Sequence, residues 1–266
     1  MSEPSIQELR VDRFARLVGP EAIERLGRSH VIVVGVGGVG SFTVEALARS
    51  GIGHLTLIDG ERVSATNLNR QLHALMTTLG QPKVEAMAAR LAALDPALRV
   101  TAIHDRYDET SAERLVPIDG SADVVVDAID NVTAKMHLIA RCHAAHLPIV
   151  SSMGAAGRLD PTQIMAGDLC ETRQDHFARD VRKFLRRCHG IDCKKPTGVF
   201  AVWSREPGRK ALRFEADEAC GIPEVSPDVP GIRGPRCQAS AVFVTAAMGM
   251  AVASVVIREL LKLDAD

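Results

Sequence analysis

The sequence predicts an α/β fold in which helices cover both faces of a mostly parallel sheet. From about residue 30 to residue 152, short β-branched runs alternate with segments of helical periodicity. The first run, Val31–Val34, passes directly into a glycine turn and then a helix, which is the order of a parallel βαβ unit. We therefore expect a Rossmann-like, doubly wound sheet, with antiparallel additions after residue 152, where the alternation lapses.

The glycine turn after the first strand has the spacing of a nucleotide-binding site. Gly35, Gly37 and Gly40 are arranged as G-x-G-x-x-G, a helical segment follows at Ser41–Arg49, and the second strand ends at Asp59. Glycines let the backbone approach phosphate oxygens, and the helix N-terminus presents free N–H groups to them. The Asp59 carboxylate is placed to reach ribose hydroxyls.

The other elements are predicted from periodicity and turn residues. Residues 1–29 are expected to form helices before the first strand. In chain order we then predict a helix from Pro82 to about Leu94, a strand at Arg99–Ile103, a short helix within 109–116, a strand at Asp123–Ile129, a helix at Thr133–His146, a strand at Leu147–Ser151 and an antiparallel strand starting within Thr162–Met165. Residues 215–236, rich in Pro, Gly and acid, are predicted to form a mobile crossover loop.

Polar residues gather where the predicted strands end. Asn67, Arg70 and Gln71 crowd one short turn after the second strand. Lys83 lies at a helix N-terminus, where the dipole disfavours a cation unless an anion is nearby. These positions predict a set of phosphate ligands.

Two nucleotide chemistries compete for this site. A dehydrogenase would use the glycine turn for a pyrophosphate, whereas an adenylating enzyme would also need cations around ATP and a carboxylate for Mg²⁺. Asp127 and Asp130 end the fourth strand, where phosphate or metal chemistry is expected. No evident nicotinamide site or hydride-relay histidine accompanies them, so we favour adenylation.

A basic amphipathic segment lies in the second half of the chain. From Arg173 to Arg213 there are twelve Lys or Arg against four Asp or Glu, a local charge of +8 in a chain of net charge −1. Like charges this dense repel unless something neutralises them, which favours a polyanion-binding surface over an ordinary solvated helix. The candidate contacts are Arg179, Arg182, Lys183, Arg186 and Arg187.

Composition and cysteine usage limit which classes of protein and which kinds of site the chain can represent. The 266 residues, 46% of them hydrophobic, suit one globular domain. The six cysteines form no C-x-x-C pair, so we expect no structural zinc and a reduced, cytoplasmic protein. The apolar stretch Ala239–Ile257 is only mildly hydrophobic, which favours a buried core or dimer helix over a membrane span. Cys237, beside Arg236, is a candidate nucleophile.

Six ordered motifs resemble the ThiF/MoeB superfamily of ubiquitin-activating-like adenylating enzymes. They are RFAR at 13–16, GVGGVGS at 35–41, the strand end at Asp59, NLNRQ at 67–71, QPK at 81–83 and DAIDN at 127–131. The resemblance implies that Gly38 and its neighbouring glycines cradle ATP, with Asp59 on the ribose. It further implies phosphate contacts from Arg70 and Lys83, Mg²⁺ on Asp130, and support from Asn67 and Gln71.

The same resemblance implies a homodimer in which an N-terminal arginine reaches into the partner's site. Arg16, or alternatively Arg13, occupies that position of the motif. The whole chain, 1–266, is then one adenylating domain. Its parts are N-terminal helices (1–29), a nucleotide-binding core (30–152) and a tRNA-facing and dimer region (153–266).

Within the superfamily, the chain resembles the tRNA threonylcarbamoyladenosine dehydratases. The similar stretches are ARSGIG at 48–53, DPTQI at 160–164, DLCETRQD at 168–175 and RCQAS at 236–240. The implied reaction is ATP-dependent ring closure on a tRNA adenosine, through adenylation of the threonyl carboxylate. Because the closure is intramolecular, it requires no enzyme thiol. A tRNA partner also accounts for the local positive charge.

Two other functions stay open at this stage. One is an adenylyltransferase that activates the C-terminus of a ubiquitin-like sulfur-carrier protein, although such enzymes carry two C-x-x-C pairs that this chain lacks. The other is a nucleotide-dependent RNA-binding scaffold without catalysis, which would form no AMP. A monovalent cation that orders the loops and a sulfur-transfer protein partner also stay open.

Overall fold

The computed structural model describes residues 6–212 and 239–263. The helices in these stretches are α1 (Ile6–Val18), α2 (Pro20–Arg28), α3 (Gly40–Arg49), α4 (Lys83–Leu94), α5 (Ala112–Leu115), α6 (Val132–Ala144), α7 (His176–His189) and α8 (Val242–Leu261). The strands are β1 (His30–Val34), β2 (His54–Ile58), β3 (Arg99–Ile103), β4 (Val124–Asp127), β5 (Ile149–Ser152), β6 (Ile164–Asp168) and β7 (Phe200–Ser204).

These strands form one sheet in the order β3-β2-β1-β4-β5-β7-β6. All neighbours are parallel except β6 and β7, which are antiparallel. The prediction of a mostly parallel sheet with antiparallel C-terminal additions is therefore confirmed. The chain turns to opposite sides after β1 and β4, which are paired with Val34 opposite Asp127. A crevice beyond the carboxyl ends of two such strands is where ligands bind in this architecture.

The central strands are buried on both faces, which explains their continuous apolar runs. Ile32 and Val34 pack with α5, α6 and α7 on one face. Val31 and Val33 pack with α3, α4 and α8 on the other. Successive strand residues point to opposite faces, so the β-branched run of β1 contributes to both halves of the core.

One strand was not predicted. β7 lies between β5 and β6 and is almost wholly buried, yet its sequence falls within the basic 173–213 segment. The charged residues on either side hide a five-residue apolar run, so local composition gives no strand signal. The crossover loop predicted at 215–236 lies outside the described residues.

Helix α8 is long and apolar enough to cross a membrane by length and composition alone, with a mean hydropathy of 1.7. It packs on the sheet and on α3, and 56% of its apolar window is buried. A Cβ on Gly249 would lie 2.5 Å from Val39 O, and the Thr43 hydroxyl donates to Gly249 O over 3.1 Å. This close crossing agrees with the prediction of a core helix.

Candidate active site

The glycine turn is held between β1 and the segment that follows β4. Gly35 has φ +92°, and a Cβ built on it would lie 2.6 Å from Ala128 O. A Cβ on Gly40 would lie 1.9 Å from Gly35 O. Only glycine fits both positions. At Gly37, by contrast, a Cβ would meet nothing nearer than Gln71 Nε2 at 3.9 Å, so this part of the turn is open to a ligand.

Gly38 is backed by the C-terminal helix and by the predicted phosphate ligand Arg70. A Cβ on Gly38 would lie 3.2 Å from Thr245 Cγ2 and 3.6 Å from Arg70 Cγ. The Arg70 guanidinium donates to Thr66 O over 2.7 Å and to Asn69 Oδ1 over 3.1 Å. The arginine stem therefore lies against the glycine turn.

Asp59 sits directly against the turn. Its Oδ2 accepts a hydrogen bond from Val36 N and its Oδ1 accepts one from Glu61 N, each over 2.8 Å. Burial raises the pKa of this carboxyl, against the opposing effects of Lys83 and the two N–H donors. Each oxygen keeps a second lone pair, which suits a ribose hydroxyl.

Lys83 is buried, with 3% of its side chain exposed, and its Nζ donates to Glu61 Oε2 over 2.5 Å. Burial alone would raise the pKa of Glu61, but the hydrogen bond and charge of Lys83 outweigh it and the pKa is lowered. Sequence reasoning missed Glu61, although its position two residues after Asp59 places it at the same strand end. Glu61 is therefore the hydrogen-bond partner of the ammonium that was predicted to bind phosphate.

Asn67 and Gln71 have different environments. The Asn67 Oδ1 accepts from Ser64 N over 3.0 Å, so this buried amide stabilises its own turn. The Gln71 side chain is also buried, but its Oε1 has no hydrogen-bond partner among the described residues. Buried polar atoms are normally satisfied. The Gln71 amide therefore lies beside the open Gly37 with unused hydrogen-bonding capacity.

The two acids at the end of β4, Asp127 in the strand and Asp130 in the turn beyond it, have different environments in the structure. Asp127 was predicted at the ligand-binding edge together with Asp130, and this is wrong. Its carboxylate is fully buried, where it accepts hydrogen bonds from Lys135 Nζ and Ser151 Oγ, each over 2.6 Å. Asp130 is exposed and has no hydrogen bond or ion pair within the described part of the chain. The buried partner of Asp127 is Lys135. No role was predicted for Lys135 from the sequence.

No group of three or more His, Cys, Asp or Glu among the described residues could hold a metal ion. Mg²⁺, however, is commonly held by one or two carboxylates together with substrate phosphates and water. A single free carboxylate such as that of Asp130 fits this kind of site.

The N-terminal arginines lie on the surface of α1. The Arg16 side chain is 73% exposed, and its Nε donates to Asp12 Oδ2 over 2.9 Å. That hydrogen bond lowers the pKa of Asp12. Arg13 is also exposed. The described chain therefore leaves both arginines at the surface.

Helix α7 confirms the predicted basic amphipathic helix. It is capped by Asp175, whose side chain accepts from Ala178 N, and its apolar residues face the core. Arg182 differs from the other candidates, because it is half-buried and donates to Thr172 O over 2.9 Å, and burial lowers its pKa. The remaining four are exposed: Arg179, Lys183, Arg186 and Arg187. Cys237 lies outside the described residues.

Comparison with known proteins gives a consistent result. The model of the ThiF family matches residues 11–265. A tRNA threonylcarbamoyladenosine dehydratase of Bacillus subtilis is 41% identical over 246 residues, which cover 92% of each chain. A crystal structure of the E. coli tRNA N6-threonylcarbamoyladenosine dehydratase in complex with ATP has a TM-score of 0.83 and 34% identity, and the match covers 100% of this chain and 99% of that one. The AMP complex of the same enzyme has a TM-score of 0.84 with 34% identity, and the match covers 100% of both chains.

The family match extends from α1 through α8 and includes the glycine turn, the Asp59 strand end and the turn that bears Asp130. We conclude that the chain belongs to the ThiF family.

Proposed function

We propose that this protein is an ATP-dependent tRNA threonylcarbamoyladenosine dehydratase. It would adenylate the threonyl carboxylate of N6-threonylcarbamoyladenosine in tRNA and then close the ring with release of AMP. The observation that carries the proposal is that the glycine turn, Asp59 and the buried Lys83 lie together at one edge of the sheet, in a chain that aligns with a dehydratase over 92% of its length.

In this proposal the phosphates of ATP lie against Gly37, where the turn is open, and against its neighbour Gly38, and the N-terminus of α3 presents N–H groups to them. Asp59 accepts hydrogen bonds from the ribose. Lys83 exchanges Glu61 for a phosphate oxygen, and Arg70 lies close enough to the turn to share the charge. The Nε2 of Gln71, which faces Gly37, would donate to a phosphate oxygen.

The chemistry then depends on positioning and electrostatic stabilisation. A carboxylate oxygen of the substrate attacks the α-phosphorus and the bond to pyrophosphate breaks. Negative charge that builds on the phosphate oxygens is met by Arg70 and Lys83. The carbamoyl nitrogen of the same substrate next attacks the acyl carbon and loses its proton, and AMP leaves. Because nucleophile and acyl group belong to one molecule, their effective concentration is high, and the proposal assigns no step to Cys237.

Asp130 is the residue that would hold Mg²⁺ in this site. Its carboxylate offers hard oxygen ligands and is not engaged by any described residue. Bound beside the phosphates, Mg²⁺ would neutralise part of their charge. The chain's own contribution is to keep this carboxylate at the crevice between β1 and β4.

The exposed basic residues of α7 support a tRNA partner. Arg179, Lys183, Arg186 and Arg187 project from a helix whose opposite face is fixed in the core. Lys194 and Lys195 extend the same charge beyond the helix and are exposed. Phosphate contacts of this kind give affinity without sequence preference. A cytoplasmic location agrees with such a substrate.

A homodimer completes the proposal. The exposed Arg16 would contact the phosphates in the partner's site. Because a two-fold dimer uses the same surface on both subunits, it would have two equivalent sites. Arg13, one turn earlier on the same helix, is the alternative donor.

The proposal is tested by radiolabelled pyrophosphate exchange into ATP. We expect tRNA that bears threonylcarbamoyladenosine to trigger exchange, and neither unmodified tRNA nor a Gly-Gly-terminated carrier protein to do so. Exchange with the carrier protein alone would favour an adenylyltransferase. No AMP formation with any of these partners would reject an adenylating function.

A further inference from the structure

The side chain of Lys135 on α6 is completely buried, yet it is charged and fully satisfied. Its Nζ donates to Asp127 Oδ2 over 2.6 Å, to Ser152 O over 3.0 Å and to Ser151 Oγ over 3.3 Å. An ammonium has three donor hydrogens, and all three are used. A buried ion pair contributes little net stability compared with apolar side chains of the same volume. Packing alone therefore does not explain why this pair is present.

The pair holds the first residue of the turn that leads to Asp130. While Oδ2 of Asp127 binds Lys135, Oδ1 of the same carboxylate accepts from Ile129 N over 3.1 Å. Ala128 N donates to Val34 O over 2.8 Å, which places this segment against the glycine turn. Asp127 thus holds β4, the turn and α6 in one arrangement.

The far end of the turn is fixed by the same helix. Asn131 caps α6 by accepting a hydrogen bond from Ala134 N over 2.9 Å, and Asn131 O accepts one from Lys135 N over 3.0 Å. Asp130 lies between these anchors and has no partner of its own in the described residues. Its position is therefore set by its neighbours.

We propose that Lys135 and Asp127 form a positioning pair that holds the 127–131 turn, and with it Asp130, in the geometry that adenylation requires. This inference rests on the proposed function for its catalytic consequence. Neither residue touches the nucleotide in the proposal. Ser151 and Ser152 extend the anchorage to the end of β5, so the turn is tied to three neighbouring strands.

A purely structural role of the pair can be distinguished from a positioning role by variants that remove one charge or both. Lys135→Met leaves a buried carboxylate without its counter-ion, which destabilises the fold in either case. The double variant Asp127→Leu/Lys135→Met replaces both charges with apolar side chains of similar size, which restores stability. It does not restore the hydrogen bond to Ile129 N.

The first readout is deuterium uptake by the 127–134 peptide, measured without substrate together with the melting temperature. We expect both variants to take up deuterium faster in this peptide, and the double variant to regain most of the melting temperature that the single variant loses. The matched control is Arg10→Met. It breaks the largely buried Arg10–Asp95 pair (2.7 Å), which lies at the C-terminal ends of α3 and α4. It is expected to lower the melting temperature and leave this peptide unchanged.

The second readout is pyrophosphate exchange at a temperature where every variant is folded. We expect kcat to fall about a hundredfold in both variants, as for a catalytic group displaced by about 1 Å, with the KM for ATP little changed because the glycine turn is intact. A double variant with wild-type uptake and wild-type kcat would overturn the inference. If the unmodified protein shows no exchange at all, the proposed function fails instead, and deuterium uptake alone still decides whether the pair holds the turn.

Discussion

The Nζ atom of Lys83 lies 2.5 Å from Oε2 of Glu61, so the buried ammonium of this site is paired with a carboxylate of the same chain. In the proposed ATP complex, a phosphate oxygen would displace Glu61 or share Lys83 with it. The lysine is almost fully buried while the glutamate is 60% exposed, so the glutamate is the partner that can move away into solvent.

The variant Glu61→Gln is therefore expected to lower stability and to enhance stabilisation by ATP. Loss of the carboxylate leaves Lys83 without its counter-ion, which should cost about 1 kcal/mol, or about 2–4 °C in melting temperature for a chain of this size. ATP then restores the missing charge, so its stabilising increment should exceed that of the wild type. Differential scanning fluorimetry with and without ATP measures both. Glu85→Gln, which removes an exposed carboxylate from the first turn of the same helix, should change neither, and an unchanged ATP increment in Glu61→Gln would contradict competition for Lys83.

Two glycine-to-alanine variants three residues apart should affect different properties, one the stability of the fold and the other the affinity for ATP. In Gly40→Ala the new Cβ would overlap Gly35 O at 1.9 Å, so we expect a loss of about 4 kcal/mol or more of stability. In Gly37→Ala the Cβ points into open space, so the fold should be unaffected while ATP affinity falls about tenfold. Urea unfolding and isothermal titration calorimetry separate the two outcomes. Normal ATP affinity in Gly37→Ala would place the phosphates elsewhere.

Neutral replacement of Arg179, Lys183, Arg186 and Arg187 by Gln should weaken tRNA binding without changing ATP binding. Each lost phosphate contact should reduce the slope of log affinity against log salt by about 0.7 to 0.9. Filter binding across a salt series gives this slope. A variant that neutralises Arg25, Arg28, Arg99 and Arg114, which are also exposed, removes the same charge elsewhere. If both quadruple variants lose affinity equally, the effect is one of net charge and the α7 surface has no special role.

His73 should make the protein less stable as the pH falls. Burial, assisted by Lys83, lowers its pKa from 6.5 to about 4, and neither ring nitrogen has a partner among the described residues. Between these two values the unfolded chain binds the proton and the folded chain does not. Stability is therefore fully present above pH 6.5 and declines down to about pH 4, by up to about 3 kcal/mol.

The measurement is the free energy of unfolding in urea at about pH 7 and about pH 5. In His73→Leu the difference between the two should shrink by about 2 kcal/mol. His189→Gln, at an exposed position, should leave the difference as it is in the wild type. A wild-type pH dependence in His73→Leu would show that other groups control the acid response.

Much of the fold could be predicted because its signals are local. The run Val31–Val34 is apolar throughout since β1 is covered on both faces, and the glycine spacing reflects two contacts within the same turn. Asp59 could be placed because a residue that directly follows a parallel strand must lie at the carboxyl edge of the sheet.

The inward orientation of Asp127 and the pairing of Glu61 with Lys83 could not be predicted in this way. Asp127 ends strand β4, much as Asp59 directly follows strand β2. Helix α6, however, places Lys135 next to Asp127, and the packing of that helix decides that the carboxylate turns inward. Glu61 and Lys83 are 22 residues apart, and their contact depends on the path of the intervening loop. Strand β7 was missed because its short apolar run lies within a segment of dense positive charge.

The crossing of α8 with α3 has a consequence for biosynthesis. Thr245 and Gly249 back Gly38 and Val39 of the glycine turn, although about 200 residues separate them in the chain. A nascent polypeptide that has emerged only as far as β7 lacks this backing, and contacts of such long range form late in folding. The wall that the C-terminal helix forms behind the glycine turn is therefore completed only after the last helix of the described chain has been synthesised.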